Sequence, residues 1–188
     1  MPPRKRCDNT VDARACCGGA RGDTGLREVD TPSGTIRALL LAQERGTPMK
    51  RVPEAQAVEG RGFVGDRHGK KKPNGKRQLL LLDAASSEAL RLSVGELKEN
   101  VVLSGVPLES LPAGQRLSLG AEVVVELTEP CVPCSKLERI RPGLLKESWG
   151  QRGQLARVLR GGTVREGDEV RLLDVNPDAP RPIRPKLP

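Results

Sequence analysis

Short apolar runs broken at close intervals by glycine leave this chain few folds to choose from. Gly60, Gly65, Gly105, Gly114, Gly120, the Gly161-Gly162 pair and the Gly167-Asp168 turn separate runs rich in Leu, Val and Ile. The segments 35–42, 77–82, 100–103, 117–119, 122–127, 155–159 and 169–175 read as strands. The Val-rich run at 122–127 is the strongest of them, with Pro130 as its stop. One stretch, 84–92, reads as a helix. Asp83 stands at its N-cap, and Ala85, Ala89, Leu90 and Leu92 lie along one side. Many short strands with one or two short helices predict a mainly β fold closed into a barrel, because closure removes the open sheet edges. The strand–helix alternation of a doubly wound nucleotide-binding fold is missing, as is a Gly-x-Gly-x-x-Gly turn.

These runs are confined to part of the chain. Residues 34–176 hold 41 Leu, Val, Ile or Phe in 143 positions, whereas residues 1–33 hold only Val11, Leu26 and Val29. From 177 to 188 the chain is polar and carries Pro177, Pro180, Pro182, Pro185 and Pro188. The expected organisation is therefore a folded body at 34–176, a disordered head at 1–33 and a proline-rich tail at 177–188. The head has no apolar segment of the kind a secretory signal needs. Five cysteines, an odd number, fit a reducing cytoplasm better than a disulfide framework. No apolar stretch is long enough to span a membrane.

The net charge of +8 is unevenly spread. Residues 34–77 carry eleven Lys or Arg against four Asp or Glu; residues 78–130 carry three against eight. Lys70, Lys71 and Lys72 read either as a solvated loop or as a basic strip beside an anion site. Phe63 and Trp149 are the only aromatic residues. A chain so poor in rings cannot offer a base-stacking platform, so no nucleic-acid partner is expected.

Four polar clusters could carry chemistry. Cys131-Val132-Pro133-Cys134 follows the strongest strand, with Lys136 and Arg139 close behind. Neighbouring cations favour the thiolate, the form that attacks or binds metal. A zinc site drawing on Cys131, Cys134 and the sole histidine, His68, is one reading; a redox dithiol is a second, and a single reactive or metal-binding cysteine a third. Gly65-Asp66-Arg67-His68-Gly69 places charged groups between turn glycines, and His68 supplies an imidazole, the side-chain type that ordinarily suits proton transfer near neutral pH. Arg77-Gln78 precedes one strand, and Glu99-Asn100 precedes another.

Taken in order, the motifs are Gly65-Asp66-Arg67-His68, Arg77-Gln78 before four leucines, Glu99-Asn100-Val101-Val102, and the 114–120 run. They continue through Pro133-Cys134-Ser135-Lys136-Leu137, Arg152-Gly153, Arg157 to Gly162, and Glu166 to Val170. This succession, over about 34–175, resembles the MOSC domain, named for the C-terminal domain of molybdenum cofactor sulfurases. The resemblance implies a mainly β barrel-like core and a molybdenum cofactor, a pterin bearing a phosphate and a dithiolene that holds the metal. By the same resemblance Cys134, rather than Cys131, would ligate molybdenum or carry a persulfide. Arg67, Arg77 and Arg157 would contact the anionic pterin phosphate, with Gln78, Glu99 and Asn100 for its polar edges or the substrate. His68 would move protons. The chain looks closest to the short stand-alone bacterial members, some of which are linked to resistance against N-hydroxylated bases. That implies a small-molecule substrate and a separate electron-donor or sulfur-donor protein. The pyridoxal-dependent domain of the sulfurases has no counterpart here, so pyridoxal phosphate is not expected.

Overall fold

The computed structural model describes residues 33–70 and 73–179. The head with Cys7, Cys16 and Cys17, residues Lys71 and Lys72, and the tail from Pro180 lie outside them.

Seven strands form the barrel. They are β1 (Gly34–Leu41), β5 (Leu79–Asp83), β6 (Val101–Ser104), β7 (Gln115–Leu119), β8 (Val123–Pro130), β9 (Gln154–Arg160) and β11 (Glu169–Val175). Around the wall the order is β11, β7, β8, β9, β5, β6, β1, and β1 closes the ring by pairing Gly34 with Val170 and Thr35 with Glu169. Only β5 and β6 run parallel; antiparallel neighbours make the rest. Further along its length β1 also carries the short β2 (Lys50–Val52). A three-stranded sheet of β3 (Glu54–Val58), β4 (Gly62–Phe63) and β10 (Gly162–Arg165) lays Ala55, Ala57, Phe63 and Val164 against the main core.

Alternation along the strands fills the barrel. Leu79 and Leu81, Val101 and Leu103, Leu117 and Leu119, and Val123, Val125 and Leu127 all point inward and are buried. The runs are continuously apolar in β5 because its other face is covered too. Leu82 joins Leu90, Leu97, Leu137 and Leu144 in a second cluster outside the barrel.

The helix expected at 84–92 is shorter. It is α1 (Ala84–Ala89), and Asp83 caps it as anticipated, its Oδ1 accepting from the Ala85 N–H at 3.1 Å. Leu90 is the C-cap and Arg91 takes a left-handed φ of 53°, which stops the helix. With only six residues it buries Ser86 and Ser87 and leaves Ala85 and Ala89 exposed. The second helix, α2 (Leu144–Glu147), has four residues and buries Leu144.

Candidate functional site

The end of β8 organises the site. Strand pairing runs as far as the expected stop, Pro130, opposite Gln154; proline tolerates an extended strand end where no N–H is needed. The Cys131 N–H then donates to the Gly153 carbonyl at 2.9 Å. Gly153 is in turn held from its other side, its N–H donating to Glu109 Oε1 at 3.0 Å. Its φ of 80° and the Leu81 carbonyl, with which a Cβ would collide, require glycine at this point. Beyond Cys131 the chain reaches a 3-10 turn at Ser135–Arg139, whose Leu137 is buried in the second cluster. The segment 131–137 is thus fixed at both ends, by β9 and by Leu137. Between them Cys134 is exposed, whereas Cys131 is half-buried.

Cys131 lies on the wall of a cleft of about 720 Å³ together with Glu109, Trp149, Arg152 and Gln154, among prolines and small residues. Burial pushes the Cys131 thiol pKa up, against the pull of the Arg152 and Arg77 charges. Burial likewise pushes the Glu109 carboxyl up, although the Gly153 N–H and Ser86 counter it.

On the other flank of the same strand end is a hollow of about 270 Å³ lined by Arg61, His68, Lys76, Arg77, Gln78 and Glu129. It brings together three of the residues singled out from the sequence. His68 Nδ1 donates to Asp66 Oδ1 at 2.9 Å, which leaves Nε2 as the nitrogen for proton exchange. Arg77 is exposed and donates through Nε to Glu129 Oε1 at 2.6 Å. Gln78 is buried; its Nε2 donates to the Gly75 carbonyl, and its Oε1 accepts from the Val158 N–H.

The remaining candidates lie elsewhere. Asn100 is buried, with Nδ2 donating to the Leu40 carbonyl and Asp66 Oδ2 and with Oδ1 accepting from the Leu80 N–H. Glu99 is fully buried and accepts from the Gly95 N–H; burial pushes its carboxyl pKa up. Arg157 donates to Glu126 Oε1 at 2.9 Å across the β8–β9 pair. Arg67, half-buried, begins the 3-10 turn at Arg67–Lys70. Among the described residues no three His, Cys, Asp or Glu side chains gather as a bound metal requires, so the zinc reading has no ligand set there.

Sequence reasoning passed over Glu109, Trp149 and Gln154, and took Arg152 only as part of a motif. The available signal was the sole tryptophan in the polar, Gly-punctuated run Trp149-Gly150-Gln151-Arg152-Gly153-Gln154.

Comparison with solved structures gives the same architecture. The YuaD protein of Bacillus subtilis aligns with a TM-score of 0.63 at 19% identity, covering 80% of this chain and 100% of that one. YiiM from Escherichia coli aligns with a TM-score of 0.59 at 17% identity over 77% of this chain and 72% of its own. YiiM from Geobacillus stearothermophilus gives 0.60 at 18% identity over 79% of each. A segment of 85 residues is 36% identical to a protein named "Reductase" from Gibberella moniliformis, covering 43% of this chain and only 15% of that relative. The sequence model of the MOSC domain matches residues 75–171, more than half of the chain and all of the Cys131–Gly153 site: the protein belongs to the MOSC domain family.

Proposed function

We propose that this protein binds molybdenum cofactor through Cys134 and reduces N-hydroxylated small molecules. The observation that carries the reading is the exposed Cys134 thiol, held on a segment pinned at both ends beside a cleft of substrate size. A thiol with no surrounding set of ligands among the described residues suits a metal that arrives already chelated, and a soft sulfur donor matches one held by dithiolene sulfurs. The name of the fungal relative points the same way. The cofactor, when bound, supplies two-electron redox chemistry, with the electrons coming from a separate donor protein. Removal of the hydroxyl oxygen as water also consumes two protons. His68, through Nε2, and Glu109, whose carboxyl is pushed up by burial, are the groups able to deliver them. The basic hollow with Arg61, Lys76 and Arg77 would hold the pterin phosphate.

The test is elemental analysis with pterin fluorescence on protein purified from a host that makes the cofactor, wild type beside Cys134→Ser. Expected are about one molybdenum per chain in the wild type and its loss in the variant, with an unchanged melting curve because the side chain is exposed. A second reading is favoured by the exposure of Cys134 itself: it would carry sulfur as a persulfide and hand it to a partner. Cyanide-releasable sulfur without molybdenum in either protein would select that reading over the first.

A further inference from the structure

The turn that follows Cys134 presents cations for which the protein itself supplies no counter-charge. Ser135–Arg139 is a 3-10 turn, in which side chains three residues apart stack one above the other, so Lys136 and Arg139 share a face. Leu137 points the other way, into the second apolar cluster. The acids of the segment are occupied elsewhere. Glu138 accepts from the Gly143 and Leu145 N–H groups, both at 2.8 Å, and Glu147 pairs with Arg141 at 2.8 Å. Lys136, Arg139 and Lys146 are exposed and make no ion pair among the described residues. Val132, two residues before Cys134, is 44% exposed, and Ile140, at the end of the turn, is 39% exposed. Apolar side chains standing singly on a surface need no explanation. Two that bracket an exposed thiol, on a segment that also holds unpaired cations, make the pattern of a docking face: apolar contacts with a charged rim.

We infer that this face docks a small acidic electron-carrier protein and brings its redox group to Cys134. Lys136, Arg139 and Ile140 stand on the outer turn and not among the residues that line the cleft, so they face a partner's surface and not a small molecule held inside. Opposite charge steers and orients such an encounter, and electron-transfer partners meet through small interfaces that one short turn can supply. The inference rests on the reductase reading above for the purpose of the contact. Two encounters, each taking one electron from one reduced carrier, supply the pair that the reaction consumes. Docking itself is measured without the cofactor.

The probes are flavodoxin and a [2Fe–2S] ferredoxin, both acidic, each titrated by calorimetry into cofactor-free full-length protein in about 50 mM salt, where surface charges are weakly screened. Expected is saturable binding of at least one carrier, with Kd raised about tenfold or more in Lys136→Glu/Arg139→Glu, and likewise for the wild type in about 500 mM salt. Ile140→Ser should weaken binding at both salt concentrations. Arg45→Glu/Lys50→Glu reverses an exposed cation on β2 and another in the turn before it, on the far side of the ring from β8. That variant should leave Kd within about twofold of wild type. No binding by either carrier, or equal losses in the two double variants, overturns the docking face. Binding to phosphatidylglycerol vesicles that is lost in Lys136→Glu/Arg139→Glu, while neither carrier binds, assigns the face to a membrane surface and also overturns it. A carrier that binds but is not oxidised by molybdenum-loaded protein overturns the reductase reading and leaves the face standing. Oxidation of the carrier at equal rates by loaded wild type and loaded Lys136→Glu/Arg139→Glu does the reverse.

Discussion

Asp66 accepts four hydrogen bonds: from the Ala42 N–H at 2.7 Å, Asn100 Nδ2 at 2.9 Å, the His68 N–H at 2.8 Å and His68 Nδ1 at 2.9 Å. Burial alone would raise its pKa. The His68 and Ala42 donors outweigh burial and hold the carboxyl below its ordinary value. A depressed folded-state pKa contributes stability that is present above the unfolded value of about 3.9 and is lost as pH falls through the folded one. Asp66→Asn should therefore destabilise the protein by ~2–3 kcal/mol at pH 7, since an amide turns a donor toward donors already in place. The gap to wild type should begin to narrow below about pH 4, where the carboxyl of the unfolded chain protonates, and go on narrowing as pH falls through the lower folded value. Urea unfolding at pH 7 and pH 3 measures both; a gap that does not change with pH would place the effect elsewhere. The sequence exposes His68 as the sole histidine, but not the burial of Asp66 beneath it. Its partners Ala42 and Asn100 are 24 and 34 residues away, and their approach is a product of barrel closure. Gln154, and any role for Arg152 beyond its motif, escaped notice for the same reason. A polar residue beside glycine looks solvated until the strand it leads into is packed.

Among the elements, those whose apolar content is high were legible. The 169–175 strand coincides with β11, and 122–127 overlaps β8 from Val123 on. Missed were the short β2, β4 and β10, β3, whose inward residues Ala55 and Ala57 have little strand preference, and α2, too short for helical periodicity to register. The element that matters most for the site is the Ser135–Arg139 turn. It has no cap from a side chain, and Leu137 is what holds it to Leu82, Leu90, Leu97 and Leu144. Leu137→Ala should cost ~2–4 kcal/mol, the range for a buried leucine lost from a packed cluster. The same substitution should free the segment after Cys131. Alkylation of Cys134 by iodoacetamide, timed by mass spectrometry, would then proceed faster than in the wild type, whereas a rate equal to wild type would mean that Cys131 and its bond to Gly153 hold the segment unaided.

At the scale of the molecule, the body's first and last strands pair with each other, and that contact closes the ring. Gly34 and Thr35 meet Val170 and Glu169, and the Ile36 N–H donates to the Asp168 carbonyl while the Gly167 N–H donates to that of Ile36. The sequence pattern suggested a barrel because so many short strands would otherwise leave edges open, but it could not say which strands meet. Closure by the two ends makes the limits of the body a sharp prediction. A chain running from Ser33 to Ala179 retains every barrel strand and should melt within a few degrees of the full-length protein. One ending at Asp168 loses β11, and with it the buried Val170 and Leu172, and leaves β1 and β7 each with an unpaired edge. It should show no cooperative transition by circular dichroism. Were the shorter chain to melt cooperatively, the strands from β1 to β9 would form a stable open sheet without closure. The site at the end of β8 would then owe its shape to the β8–β9 pair alone, and the first and last strands would only cover it.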